Sequence, residues 1–347
     1  MAPDGSQERE GVLARNDVLG DVVFVSRPGA SRESEALLRK AYGLFYQLAS
    51  DFPQTGVFAA LSAARSDLIK LLEMEGRIDD ALAIQRNVVE LWRRTYESDP
   101  NDYWPMLELG RETNNMGVHL EWFGRFRDAE VEHREALRVR QDGWAKSRQS
   151  GGSDVRPNPG TSESLCALAS VIGKQADELY TQGRLIEAEE YYRKAMTYYD
   201  QLPVNRTRRL AWDLATWRDP RFRDPGRAVE LSRYGVDRSP RDADWVETLG
   251  HAQYRAGKML EALSTLEASM RLRNCGDAET WFLIAMAYRQ LGDAYGSLMY
   301  YLAAVRWMDT YQPCRYHLRE LRAEAAALLG VKYEPRAEVG MPRPPED

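Results

Sequence analysis

The sequence predicts an all-α chain built from stacked helix pairs. Three observations carry this. Apolar residues recur at helical spacing, small residues recur at intervals of 34 or 35 residues, and a glycine falls between the two helices of most units. With 347 residues, 44% of them apolar, the chain can bury a large core, and length alone suggests about two domains.

The last unit is the clearest. Trp281, Ile284, Ala285 and Tyr288 lie at offsets 0, 3, 4 and 7, which is one face of a helix. Gly292 breaks that helix and Asp293 follows it. A second helix then carries Ser297, Tyr301 and Ala304. One unit earlier come Leu249, Gly250, Gly257, Ala262, Leu266 and Ser269, and Ala262 lies 35 residues before Ser297. The unit before that holds Ala228, Ser232 and Gly235, and Ala228 lies 34 residues before Ala262. Ser239-Pro240 closes its second helix. Asp224 and Pro225 predict the start of that helix, as N-cap and first helical residue.

Working backward, Ile172, Ala176, Leu179, Gly183, Ala188, Tyr192 and Ala195 form a unit. Met116, Gly117, Leu120, Gly124, Ala129, His133 and Ala136 form another. Leu68, Ile69, Leu72, Gly76, Ala81, Gln85 and Val88 form a degenerate third. Spacings of 48 residues from Ala81 to Ala129 and 40 from Ala188 to Ala228 predict longer second helices or longer connections early in the chain. A helix near 33–49 reads as a remnant unit or cap.

These residues resemble the tetratricopeptide repeat (TPR). The signature is Gly117, Ala129, Ala136, Ala176, Ala188, Ala195, Ala228, Gly250, Ala262, Trp281, Ala285, Tyr288, Ser297, Tyr301 and Ala304. The resemblance implies six helix pairs in a right-handed superhelical solenoid. Small residues sit where helices approach closely, and a larger side chain there would cost about 1–3 kcal/mol through overpacking. The runs Leu210 to Thr216, Arg223-Asp224-Pro225 and Ala323 to Gly330 are further similar to the TPR region accompanying large bacterial serine/threonine kinases of the planctomycete type, or WD-repeat domains.

The expected organisation is an N-terminal extension (1–30), a degenerate repeat half with long helices (31–145), a flexible Gly/Pro/Ser insertion (146–163), a better-formed repeat half (164–330) and a Pro-rich tail (331–347). The extension and the tail are expected to be poorly ordered. A helix over 314–329, closed by Gly330, is expected to cover the apolar face of the last repeat.

Net charge is -6, which speaks against a broad basic nucleic-acid footprint. Arg supplies 40 of the 47 basic residues, a bias that reads as genome composition rather than as a site. No span approaches the roughly 20 apolar residues of a membrane helix, and the acidic residues Asp4, Glu8 and Glu10 do not suit a signal peptide. Cys166, Cys275 and Cys314 are far apart, which suits a reducing, cytoplasmic setting.

No kinase element, phosphate loop or dinucleotide fingerprint is present, so no cofactor is expected. Four scattered histidines (His119, His133, His251, His317) lack metal-ligand spacing, and no metal is expected. Asp79-Asp80 and Glu189-Glu190 read as solvated helix charges. His133 stands where an aromatic usually sits and reads as a packed residue.

The expected function is therefore that of a non-enzymatic protein-interaction scaffold with a peptide or helix in its concave groove. By repeat position the groove should be lined by Arg111, Asn114, Asn115 and Val118, and by Asp244, Glu247, Thr248, His251 and Arg255. An Asn there can both donate to and accept from a peptide backbone. The basic carboxylate clamp of chaperone-binding TPRs is not reproduced. Alternatives are a detached regulatory arm of a bacterial kinase, an enzyme with a groove active site, and self-association through the solenoid ends.

Overall fold

A computed structural model describes residues 28–52, 57–99, 102–149, 159–203 and 207–332. Every regular element among these residues is a helix. None is long and apolar enough to cross a membrane. The expectations for residues 1–27, for the middle of the insertion (150–158) and for 333–347 fall outside the described residues.

Cα packing separates residues 1–71 from 72–347. The first unit holds α1 (Pro28–Asp51) and most of α2 (Phe58–Met74). Its buried side chains include Tyr42, Ala49, Leu61, Leu68 and Ile69, and the rings of Tyr42 and Tyr46 are 5.8 Å apart.

The second unit begins with the end of α2 and continues through α3 (Ile78–Ser98). Five helix pairs follow: α4 (Tyr103–Trp122) with α5 (Phe126–Gln149), α6 (Pro159–Thr181) with α7 (Leu185–Tyr199), α8 (Arg208–Thr216) with α9 (Pro225–Arg238), α10 (Ala243–Arg255) with α11 (Met259–Arg273), and α12 (Ala278–Gln290) with α13 (Ala294–Tyr311). A last helix, α14 (Tyr316–Leu329), ends at Gly330. Each second helix from α3 to α11, except α7, packs on the first helix of the pair that follows. First helices also touch one another along the series. The chain is thus an all-α repeat in which each pair covers its neighbour's apolar face.

The turn inside a pair is the same device five times. Gly76, Gly124, Gly183, Gly257 and Gly292 have φ between 75° and 86°, a conformation a Cβ would strain. The next amide reaches back to close the first helix, as Arg125 N–H does to the Leu120 carbonyl at 2.9 Å and Lys258 N–H to Gln253 at 2.9 Å. The pair α8–α9 has no such glycine. Instead Trp217 is buried and Asp224 caps α9, its side chain accepting from Arg227 N–H.

Second helices are long early and short later, with 21 residues in α3 and 24 in α5 against 15 in α7 and 14 in α9. Both ends of the segment 146–163 are helical. Helix α5 runs into it as far as Gln149, and α6 begins at Pro159, where the proline's fixed φ suits a first turn. Arg140, 3% exposed, fastens this junction by donating to Ser164 Oγ at 2.7 Å and to the Gly160 carbonyl.

Candidate functional site

The nine expected groove residues separate into two groups. Arg111 and Asp244 are exposed, while Asn115, Val118 and Arg255 are half-buried. Asn114, Glu247, Thr248 and His251 are buried, at 2%, 9%, 4% and 1% exposure, so they line no open surface. The cause is the short distance between successive first helices. A residue one position off the outermost row meets the neighbouring pair instead of solvent.

Asn114 belongs to an internal polar chain. Its Oδ1 lies 3.1 Å from His133 Nδ1 and accepts from Ser164 Oγ at 3.3 Å. His133 Nε2 lies 2.8 Å from Glu121 Oε1, and Lys174 donates to Glu121 Oε2 at 2.6 Å. Arg209 donates to Glu121 Oε1 at 3.3 Å. Burial by itself would raise the Glu121 carboxyl, but Arg209, Lys174 and His133 overcome it and hold the group well below the usual range. Burial pushes His133 down, against the pull of Glu121. Gly117 makes room for this ring, since a Cβ there would lie 2.5 Å from His133 Cε1.

Deeper in, Tyr199 donates to Asp213 Oδ2 at 2.5 Å, and Ser170 to Oδ1 at 3.4 Å. Burial raises Asp213 to about 7 despite these donors. Cys166, near this cluster, is pushed up to about 11 by burial, the opposite of an activated thiol.

His251 packs edge-on against Trp212, with centroids 3.9 Å apart. Its Nε2 accepts from Arg255 Nε at 3.2 Å, which fixes the neutral ring with its proton on Nδ1. Burial and the Arg255 charge hold it well below its ordinary value. Glu247 accepts from Thr280 Oγ1 at 2.6 Å and Arg273 at 2.6 Å. Burial and the neighbouring Asp277 and Glu279 raise it to about 7.

Sequence reasoning missed the role of α14. One row of the helix, Leu318, Leu321, Ala325 and Ala326, lies in the core with Trp281, Phe282 and Ile284. A second row, Tyr316, Glu320, Glu324 and Leu328, faces the start of α5 and the ends of later first helices. Tyr316 stands edge-on to Phe126 at 5.0 Å. Glu320 accepts from Arg218, just past α8. Glu324 accepts from Arg255, the last residue of α10, at 2.8 Å. The Leu328 carbonyl accepts from Arg289, near the end of α12, at 3.3 Å. Just before the helix, Arg315 stacks 3.2 Å over the Trp122 ring and donates to Glu73 at 3.2 Å. One helix therefore spans the second unit from its first pair to its last. The visible signal was the spacing of four between Tyr316, Glu320, Glu324 and Leu328, alongside the apolar row.

Among the described residues, no group of three His, Cys, Asp or Glu side chains could hold a metal. No disulfide joins the three cysteines.

No family model matches the chain. No curated protein matches it either. Solved structures similar to it include YrrB, described as a TPR protein with an unusual peptide-binding site, at 16% identity and TM-score 0.31, covering 69% of this chain and 99% of that one. The TPR2AB-domain:pHSP90 complex of yeast Sti1 follows at 14% and 0.28, covering 76% and 99%. The P58(IPK) TPR domain follows at 14% and 0.28, covering 92% and 98%. The repeat architecture described above rests on the chain's own helix pairs, not on these scores.

Proposed function

We propose that this chain is a non-enzymatic protein-interaction scaffold that takes a peptide or helix of a partner along its first helices. The observation that carries the reading is α14. The array already receives a helix across the turn from α4 to α5 and the ends of α8, α10 and α12, holding it by the Tyr316–Phe126 and Arg315–Trp122 contacts and by carboxylate–guanidinium pairs to Arg218 and Arg255. The chemistry is recognition by preorganised side chains on rigid helices. Because α14 occupies the helix ends, the surface left to a partner is the outer row of the first helices, where Arg111 is exposed and Asn115 and Val118 are half-buried. The three cysteines, none in a disulfide, accord with a cytoplasmic setting. The likeness of the C-terminal half to kinase-associated arrays makes a separately encoded bacterial serine/threonine kinase the first partner to try.

The test is affinity capture from native lysate with the full chain and with an Arg111→Glu/Asn115→Ala/Val118→Asp variant. Buried Asn114 and His251 are left alone, since changing them would disturb packing. Loss of specific partners with unchanged circular dichroism supports the reading. Unchanged recovery by a folded variant removes it.

A further inference from the structure

Arg315 joins the last helix to the start of the second unit. Standing just before α14, it donates to Glu73 Oε2 at 3.2 Å, near the end of α2 and 242 residues earlier. Its guanidinium lies 3.2 Å over the Trp122 ring, at the end of α4. Tyr316 follows, packed against Gly124, where a Cβ would come within 2.9 Å of its ring. Along α14 the contacts then run on through the series, with Glu320 to Arg218, Glu324 to Arg255 and the Leu328 carbonyl to Arg289.

The two ends of α14 are held by different chemistry. Its later half is seated by apolar burial: Leu321, Ala325 and Ala326 share the core with Trp281 and Phe282 of α12. Its leading end is held by buried charge. Arg315 and Glu73 are 9% and 4% exposed. Arg315 Nε, Glu73 Oε1 and His119 Nδ1 are sealed from solvent and hydrogen-bonded to no protein group. His119 Nδ1 stands 3.7 Å from Glu73 Oε1, too far for a hydrogen bond. Burial holds the Arg315 guanidinium below its ordinary value, against the pull of Glu73. Two ions taken out of water regain that loss only when their remaining donors and acceptors are satisfied. Here one atom of each is not. Opening this contact returns both charges to water and recovers hydration that closing gave up. The seat on α12 gains nothing from water in the same way.

In a stack of helix pairs each rests on its neighbours, and small rotations between pairs accumulate along the series. The contacts at Arg315 lie where the two ends of that series meet, so they decide whether the sum is free or fixed. We infer that Arg315, Trp122 and Glu73 form a clasp that closes the second unit on itself and opens reversibly while α14 stays seated on α12. Opening widens the space along the first helices. The clasp thereby controls access to the partner surface proposed above, and only this control of access rests on that surface.

The test uses the full chain without a partner, so the clasp and the partner surface stand or fall separately. It combines small-angle X-ray scattering with amide hydrogen exchange at 119–124, beneath the clasp, and at 321–329, the apolar seat. Arg315→Glu breaks the clasp. Exchange at 119–124 should rise about tenfold or more, while exchange at 321–329 stays at the parent rate. The radius of gyration should rise by about 10%. Glu73→Met/Arg315→Met replaces the buried pair by apolar side chains of similar length. It should slow exchange at 119–124 about tenfold, without expansion. Unchanged exchange and size in Arg315→Glu overturn the inference. So does acceleration of both segments together, which means that α14 leaves as a whole. A double variant at parent rates overturns it as well, and decides alone where Arg315→Glu loses helical circular dichroism.

Discussion

The guanidinium of Arg255 donates to both carboxylate oxygens of Glu324, 69 residues away, one of them at 2.8 Å. Two donors in a fixed fork meeting a carboxylate give direction as well as attraction. The pair joins the end of α10 to α14. Its side chains are 21% and 40% exposed, so water weakens it. Arg255→Glu and Glu324→Arg should each lower unfolding free energy by about 1 kcal/mol, and the exchanged pair Arg255→Glu/Glu324→Arg should regain about half of that. Urea unfolding of the four chains in a double-mutant cycle checks it; zero coupling energy would remove the pair from the account of how α14 is held.

Gly117 is the residue that most directly makes the fold possible around a polar core. Its missing Cβ leaves the space that the His133 ring fills, and that ring is tied at both nitrogens. Gly117→Ala should cost about 1–3 kcal/mol net, even after the usual helix gain from alanine. Gly43→Ala, in α1 with nothing within 4 Å of the new Cβ, should instead stabilise by about 0.5–1 kcal/mol. Thermal melts of the two variants should move in opposite directions.

Asp213 links stability to pH. Its folded value is raised to about 7 from an ordinary 3.8, so the folded chain holds a proton that the unfolded chain releases. The group's destabilising effect is absent below about pH 4, grows as pH rises to about 7, and then stays, at no more than roughly 4 kcal/mol. Asp213→Asn cannot ionise. The difference in melting temperature between variant and parent should rise in the variant's favour across that window and then level off.

His251 acts with the opposite sign. It is held neutral in the fold, well below its ordinary 6.5, so the unfolded chain takes up a proton that the folded chain refuses. Its effect is nil above about pH 7 and becomes destabilising as pH falls below 6.5. His251→Gln keeps an acceptor for Arg255 without the titration. The variant should lose less stability than the parent between pH 6.5 and 5 in denaturant titrations; parallel curves would show that His251 is protonated without cost.

The helix pairs were legible because they depend on local rules. Gly124, Gly257 and Gly292 stop helices by backbone conformation, Asp224 and Pro225 start one by capping, and Ala129, Ala188 and Ala262 mark close approaches whose register repeats. The groove was legible only in part. Neighbours in sequence such as Asn114 and Asn115 differ in burial because one residue around a helix is a turn of about 100°. That turn carries Asn114 inward to His133 and Ser164, and leaves Asn115 at the edge.

By itself, then, the sequence determined the all-α repeat, its turns, its small-residue register and its lack of a phosphate-loop or kinase signature. These follow from period and propensity along a few dozen residues. Only the tertiary structure decided that α14 reaches from Leu328 beside Arg289 back to Tyr316 beside Phe126, that His251 is sealed against Trp212, and that Leu298 stays open where Leu263 is covered. Each of these depends on which helix end or repeat comes to lie beside a given side chain. That is set by the accumulated geometry of the stacked pairs, which no local spacing encodes.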